Sequence, residues 1–150
     1  MAVYKRVLVA IDGSATSDRA AGEAIALAKE QQAQLRAVHV IEDVPRMYFA
    51  YADGANLAML EASVRQAGQE ALARASATAC QADVALETVL LPHHRERVGD
   101  VIVAEARAWP ADLIVIGMHG RHGLAHLLLG SVAEVVVRAA PVPLLLVREQ

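Results

Sequence analysis

Short unbroken apolar runs alternate along this chain with longer stretches whose apolar residues recur at helical spacing. A short apolar run bounded by turn signals suits a strand buried on both faces, and the helical period marks a helix with one buried stripe. On this pattern strands are predicted over Arg6–Ile11, Leu35–Ile41, Val84–Leu91, Asp112–Ile116 and Leu144–Val147. Helices are predicted from about Ala15 to Gln32, Leu57 to Gln81, Asp100 to Ala108, and Val132 to Ala139.

The punctuation agrees with the pattern. Asp12-Gly13-Ser14 is a turn, and Ser14, Thr16 or Ser17 can cap the first helix. Ala20, Ala21, Ala24, Ile25 and Ala28 give that helix a narrow face of small side chains, which allows close packing on a sheet. In the second helix Leu60, Val64, Ala67, Ala71 and Ala75 form the stripe. Trp109-Pro110 ends the third helix, and Pro141-Val142-Pro143 separates the last helix from the last strand. Glu42 to about Asn56 reads as a loop that carries Tyr48, Phe49 and Tyr51; these aromatics fit a lid over a base or a partner-binding patch, and equally a loop anchored on its own apolar residues.

Strands that alternate with helices imply an α/β fold, a doubly wound parallel sheet with helices on both faces. Ligands in such sheets bind beyond the C-terminal ends of the strands, where the strand order reverses. Asp12 follows the first strand and Gly117 the fourth, so the two face one cleft if those strands are neighbours.

Composition narrows the class. The 150 residues, 55% apolar and 21% charged, suit a single domain with a real core (residues 1–150) and exclude global disorder. A net charge of −3 gives no basic excess for nucleic acid. The lone cysteine, Cys80, rules out an internal disulfide and is expected as a small buried or half-buried residue. The apolar runs are too short to cross a membrane, and Asp12 interrupts the first one too early for a signal peptide. A cytoplasmic location is expected.

The candidate chemistry lies after the fourth strand: Gly117-Met118-His119-Gly120, nine residues, then Gly130-Ser131. Glycines let backbone N–H groups approach an anion closely, and a helix start adds unpaired N–H groups and the positive end of its dipole. Ser131 can offer a hydroxyl to a phosphate or a metal. A side chain at Gly130 would fill the space of a phosphate oxygen, and a positive φ is expected there. Other nucleotide and hydrolase signatures are missing: no G-x-x-x-x-G-K-[ST], no glycine-rich turn after the first strand, no G-x-S-x-G.

With G-x2-G-x9-G-[ST] in this place, the chain resembles the universal stress protein (UspA-like) family along its whole length. The resemblance includes Val7-Leu8-Val9-Ala10-Ile11-Asp12-Gly13-Ser14, His39-Val40, Asp112 to Gly117, Leu129 to Val132, and Pro143 with the last strand. It implies an adenine nucleotide alpha-hydrolase-like sheet of five strands in the order 3-2-1-4-5. It further implies ATP, or ADP or AMP, as ligand. Asp12 would hydrogen-bond the ribose, and Val40 would hold the adenine through its backbone with Ala10 packing nearby. Gly117, Gly120, Gly130 and Ser131 would hold the phosphates, with His119, Arg121 and Val132 lining the site. Mg2+ would be held mainly by the phosphates and water. Ala10 stands where some members have proline, and His122 with Gly123 departs from many relatives.

Plainer readings stand beside these. Asp12 could be a capping carboxylate, and the glycines ordinary loop residues. His119, His122 and His126 invite a metal reading, but no carboxylate or cysteine completes a set nearby. His93 and His94, beside Arg95, Glu96 and Arg97, read as solvated surface. The leading function is an ATP-binding stress or regulatory protein with no placed catalytic residue and at most slow hydrolysis. The alternatives are an ATP-pyrophosphatase or nucleotidyl-transferase, and a dimeric scaffold with a vestigial pocket. The final strand, Val142 to Val147, follows the last helix and is expected at a sheet edge. It is too apolar to be left bare there, and edge-to-edge pairing into a homodimer is also what the resemblance implies.

Overall fold

The computed structural model describes residues 2–43, 54–119 and 129–149. The elements in chain order are β1 (Arg6–Ala10), α1 (Ala15–Gln31), β2 (Gln34–Val40), α2 (Gly54–Gln81), β3 (Leu86–Leu91), α3 (Val98–Ala108), β4 (Leu113–Gly117), α4 (Ser131–Ala139) and β5 (Leu144–Val147). The strands form one parallel sheet in the order β3-β2-β1-β4-β5, as expected. No described helix is long and apolar enough to cross a membrane.

Alternation along each strand divides the interior into two cores. Val7 and Val9 of β1, Leu35 and Ala37 of β2, and Leu113 and Val115 of β4 pack with α1 and α2 on one face. Leu8, Ala10, Val38, Val40, Ile114 and Ile116 point the other way, toward α3 and α4. The alanine face of α1 does what its small side chains allow: Ala20, Ala21, Ala24 and Ala28 are all buried. Arg36 interrupts β2 because it has partners. It meets Glu87 at 2.8 Å and Glu105 at 2.6 Å, and its guanidinium lies 4.6 Å from the Trp109 ring centroid.

Several boundaries differ from expectation for local reasons. Ser14 caps α1, its Oγ accepting from Ser17 N–H at 3.1 Å. Gln32 ends that helix in the left-handed region, φ 53°, with its N–H donating back to Ala28 and Lys29 carbonyls. β3 begins at Leu86 and not Val84, because Val84 N–H donates to the Ala79 carbonyl and closes α2. The helices α2 and α3 start earlier than expected, at Gly54 and Val98. Cys80 is exposed, contrary to expectation: the buried stripe of α2 runs through Ala71, Ala75 and Ala79, and the next residue turns away from it. Tyr48, Phe49 and Tyr51 lie outside the described residues.

The α3–α4 contact is very close. A Cβ on Gly99 would lie 2.6 Å from Val135 Cβ and 3.0 Å from Val132 O. Helix propensity alone favours alanine over glycine by about 1 kcal/mol, whereas overpacking costs about 1–3 kcal/mol. Gly99→Ala is therefore expected to destabilise the protein, and the sign of the shift in urea midpoint decides which effect is larger.

Candidate functional site

The chain leaves the sheet at the C-terminal end of β1 through a tightly bonded turn. Ser17 Oγ accepts from the N–H groups of both Asp12 and Gly13 at 3.2 Å and donates to Ser14 O at 3.1 Å. Ser14 N–H donates to Asp12 Oδ1 at 2.8 Å. Gly13 has φ 86°, a conformation that glycine adopts without strain. The N–H groups of Asp12, Gly13, Ser14 and Ser17 are thus taken by side chains of the turn itself, and Asp12 stands where the turn meets the cleft.

The neighbouring strand β4 ends at Gly117, where a Cβ would lie 2.8 Å from Thr16 Cγ2. Glycine there lets the first turn of α1 sit against the strand end, a packing role that the spacing of the motif did not reveal. Met118 N–H then donates to Val147 O, and Gly130 N–H donates to Met118 O at 2.7 Å, so α4 starts beside the end of β4. Gly130 is the N-cap of α4, and among the described residues no side chain caps the helix. Its φ of −60° and ψ of 155° are open to any residue. The positive φ expected at Gly130 is therefore not found; the helix start fixes it in extended backbone.

Between these two strand ends lies a cavity of about 340 Å³, within the range of small-molecule sites. Ala10, Asp12, Val40, Gly117, His119, Gly130, Ser131 and Val132 all line it. Gly120 and Arg121 lie outside the described residues, as do His122, Gly123 and His126. One wall is apolar, built from Ala10, Val38, Val40, Ile102 and Ile116. The rim is polar, with Asp12, Glu42, His119 and Ser131. His119 Nδ1 is buried and meets no hydrogen-bond partner among the described residues. No group of three or more His, Cys, Asp or Glu side chains among the described residues could hold a metal ion.

Sequence reasoning missed Ser17, Val38, His39, Glu42 and Ile102 as parts of this wall. Val38 was within reach, since it shares a strand face with Val40; Ile102 was not, because nothing local to α3 says which strand ends it covers. The polar loop before α3 is less uniform than expected. His94 to Arg97 are exposed, but the His93 ring is folded inward: Nε2 faces the Glu96 carbonyl and Nδ1 lies 3.5 Å from Asp43 Oδ2. The N–H groups of Glu96 itself and of His94 hold the Glu96 carboxyl below the usual carboxylate range.

Known proteins share this fold. The family model described as the universal stress protein family matches residues 3–148. Universal stress protein MJ0531 of Methanocaldococcus jannaschii is 37% identical, over 98% of this chain and 84% of that protein. A solved structure from the universal stress protein family of Burkholderia pseudomallei is 32% identical, with a TM-score of 0.72 over 95% of each chain. A universal stress protein solved in complex with cAMP is 26% identical, with a TM-score of 0.65 over 96% of each chain. Fold and sequence agree along the chain, which belongs to the universal stress protein family.

Proposed function

We propose that the cleft binds an adenine nucleotide, ATP or its ADP and AMP forms, and that the protein acts through that binding as a regulatory module of the cytoplasmic stress response. One observation carries the reading: an apolar wall, a carboxylate and an uncapped helix start meet in a single cleft. The base suits the wall at Ala10 and Val40. Asp12 suits the ribose hydroxyls as a charged acceptor. The phosphates suit the start of α4 at Gly130, Ser131 and Val132, where first-turn N–H groups and the helix dipole favour an anion. The orphaned Nδ1 of His119 fits an anionic or polar oxygen in the same place. Mg2+ would enter with the nucleotide, bound to phosphate oxygens and water. The cAMP complex of a 26% identical relative supports an adenine ligand.

A specific observation weighs against the pyrophosphatase or nucleotidyl-transferase alternative. Those enzymes use the loop after the first strand for phosphate, and here Ser17 and Asp12 consume the N–H groups of Asp12, Gly13 and Ser14. Binding with at most slow hydrolysis is the reading that remains.

Asp12→Asn keeps an acceptor for Ser14 N–H and removes the charge. It is expected to leave the unfolding midpoint nearly unchanged and to weaken nucleotide binding by about 1.5–3 kcal/mol, read by isothermal titration. Lost stability with retained affinity would make Asp12 a turn-forming residue alone. Gly130→Val is expected to fold normally, given its extended φ and ψ, and to lose nucleotide binding because the isopropyl group fills the cleft at the helix start. Unchanged affinity in that variant rejects the phosphate assignment.

We also propose a homodimer through the last strand, Val142 to Val147. β5 is an edge strand with Leu145 37% exposed, and an apolar edge recruits a further strand. Antiparallel pairing about a two-fold axis would satisfy its open backbone groups. Wild-type protein is expected to sediment as a dimer at micromolar concentration, and Leu146→Pro, which removes an N–H donor facing the open edge and not β4, to shift it toward the 16.0 kDa monomer. A monomeric wild type refutes the dimer.

A further inference from the structure

His39 is buried in the wall of the cleft, 4% exposed. Its Nδ1 lies 2.8 Å from the carbonyl oxygen of Ile11. A carbonyl only accepts, so Nδ1 carries the proton and donates. The place of this bond in the sheet gives it meaning. Ala10 pairs with Val38, and Ile11 N–H donates to Val38 O at 2.8 Å. In a parallel ladder the next rung would run from Val40 N–H to Ile11 O. The His39 ring takes that carbonyl instead. The β1–β2 ladder thus ends on a side chain, at the residue before Asp12.

The ring is held in turn by α2. A Cβ on Gly68 would lie 2.4 Å from His39 Cδ2 and 2.8 Å from Nε2. Glycine inside a helix costs about 1 kcal/mol relative to alanine, and here it makes the slot in which the imidazole lies. A second contact from α2 reaches the same turn, Arg74 Nη2 to Gly13 O at 3.3 Å, but it is solvent-exposed and weak. The carbonyls on either side of Asp12 are therefore both anchored from outside the turn, and the buried anchor is His39.

We infer that His39 is a positioning residue of the nucleotide site, which sets the Ile11–Asp12 backbone so that the Asp12 carboxylate faces the ribose hydroxyls. The inference rests on the nucleotide reading of the cleft given above. It assigns His39 a specificity role without direct contact with ligand. A packing role would change stability and would weaken all nucleotides alike. A positioning role changes the discrimination between ribose and a sugar that lacks its hydroxyls.

The test is titration of ATP and of 2′,3′-dideoxy-ATP into the full chain and its variants. Wild type is expected to prefer ATP by about tenfold or more, the loss of charged hydrogen bonds to Asp12. His39→Asn keeps a donor close to the position of Nδ1 and is expected to keep that ratio. His39→Gln carries its amide one methylene too far and is expected to bring the ratio close to one, although both variants bury an amide. Gly68→Ala leaves the imidazole in place chemically but displaces it, and is expected to lower the ratio too; it carries the test if His39→Gln does not fold. A wild-type ratio retained in both His39→Gln and Gly68→Ala overturns the role of His39. Equal binding of the two nucleotides by wild type overturns the ribose assignment of Asp12 itself, and the inference falls with it.

Discussion

The winding of the sheet reverses between β1 and β4, and the cleft exists because of that reversal. From β1 the chain winds outward through β2 to β3, then crosses back to β4 and β5 on the other side of β1. The helices that leave β1 and β4 consequently diverge to opposite faces of the sheet. Their starting turns are left flanking a gap that no crossover covers. Burial makes the frame rigid enough to hold that gap open: Val7 and Leu8 of β1 and Ile114 and Val115 of β4 are completely inaccessible. The recognition groups then need only occupy the residues just past the strands.

Two helix starts face this gap, and their chemistry divides the labour between them. Both α1 and α4 begin with unpaired N–H groups and a positive dipole end. At α1 part of this capacity is already used: Ser14 caps the Ser17 N–H, and Ser17 Oγ holds the N–H groups of Asp12 and Gly13 just before the helix. An anion there would have to displace these bonds and would meet the Asp12 carboxylate. At α4 the N-cap is glycine, which has no side chain to compete for the first turn. A ligand with a neutral, hydroxyl-rich part and an anionic part would therefore orient itself with its charge at α4 and its hydroxyls at Asp12. The polarity comes from capping, not from any excess of basic residues.

Much of this could be read in the residues, and what escaped did so for reasons of distance. The strands were legible because burial on both faces leaves unbroken apolar runs; Asp12 and Gly117 were legible because they stand at strand ends, and Gly130 and Ser131 because they stand at a helix start. The parts that Ser17, His39 and Ile102 play in the cleft were not legible, since they depend on contacts made only in the folded chain. Cys80 was placed wrongly because an alanine-rich helix hides the phase of its buried stripe: with alanine at most positions, one face looks much like another. The glycines misled in the opposite direction. Gly130 drew attention for a conformation it does not adopt, while Gly68 and Gly99, unremarkable inside helices, stand where a neighbour leaves no room for a Cβ.

Those contacts share a purpose. Gly117 admits Thr16 and so brings the start of α1 against β4. Gly99 admits Val135 and the carbonyl of Val132 and so fixes where α4 begins. Gly68 admits the His39 ring and so fixes the end of the β1–β2 ladder. Gly117 lines the cleft itself, and Gly68 and Gly99 pack against residues that line it or flank them. In a helix each such glycine costs about 1 kcal/mol that alanine would return, a substantial fraction of the stability of a domain this size. Helix propensity opposes keeping them, and alanine would improve the isolated helices at Gly68 and Gly99. What opposes alanine is steric: a Cβ at any of the three would fall within 3.0 Å of another residue's atoms. The backbone thus trades local helix stability for close approach at the points where strand ends and helix starts must meet, and the shape of the cleft follows from those approaches.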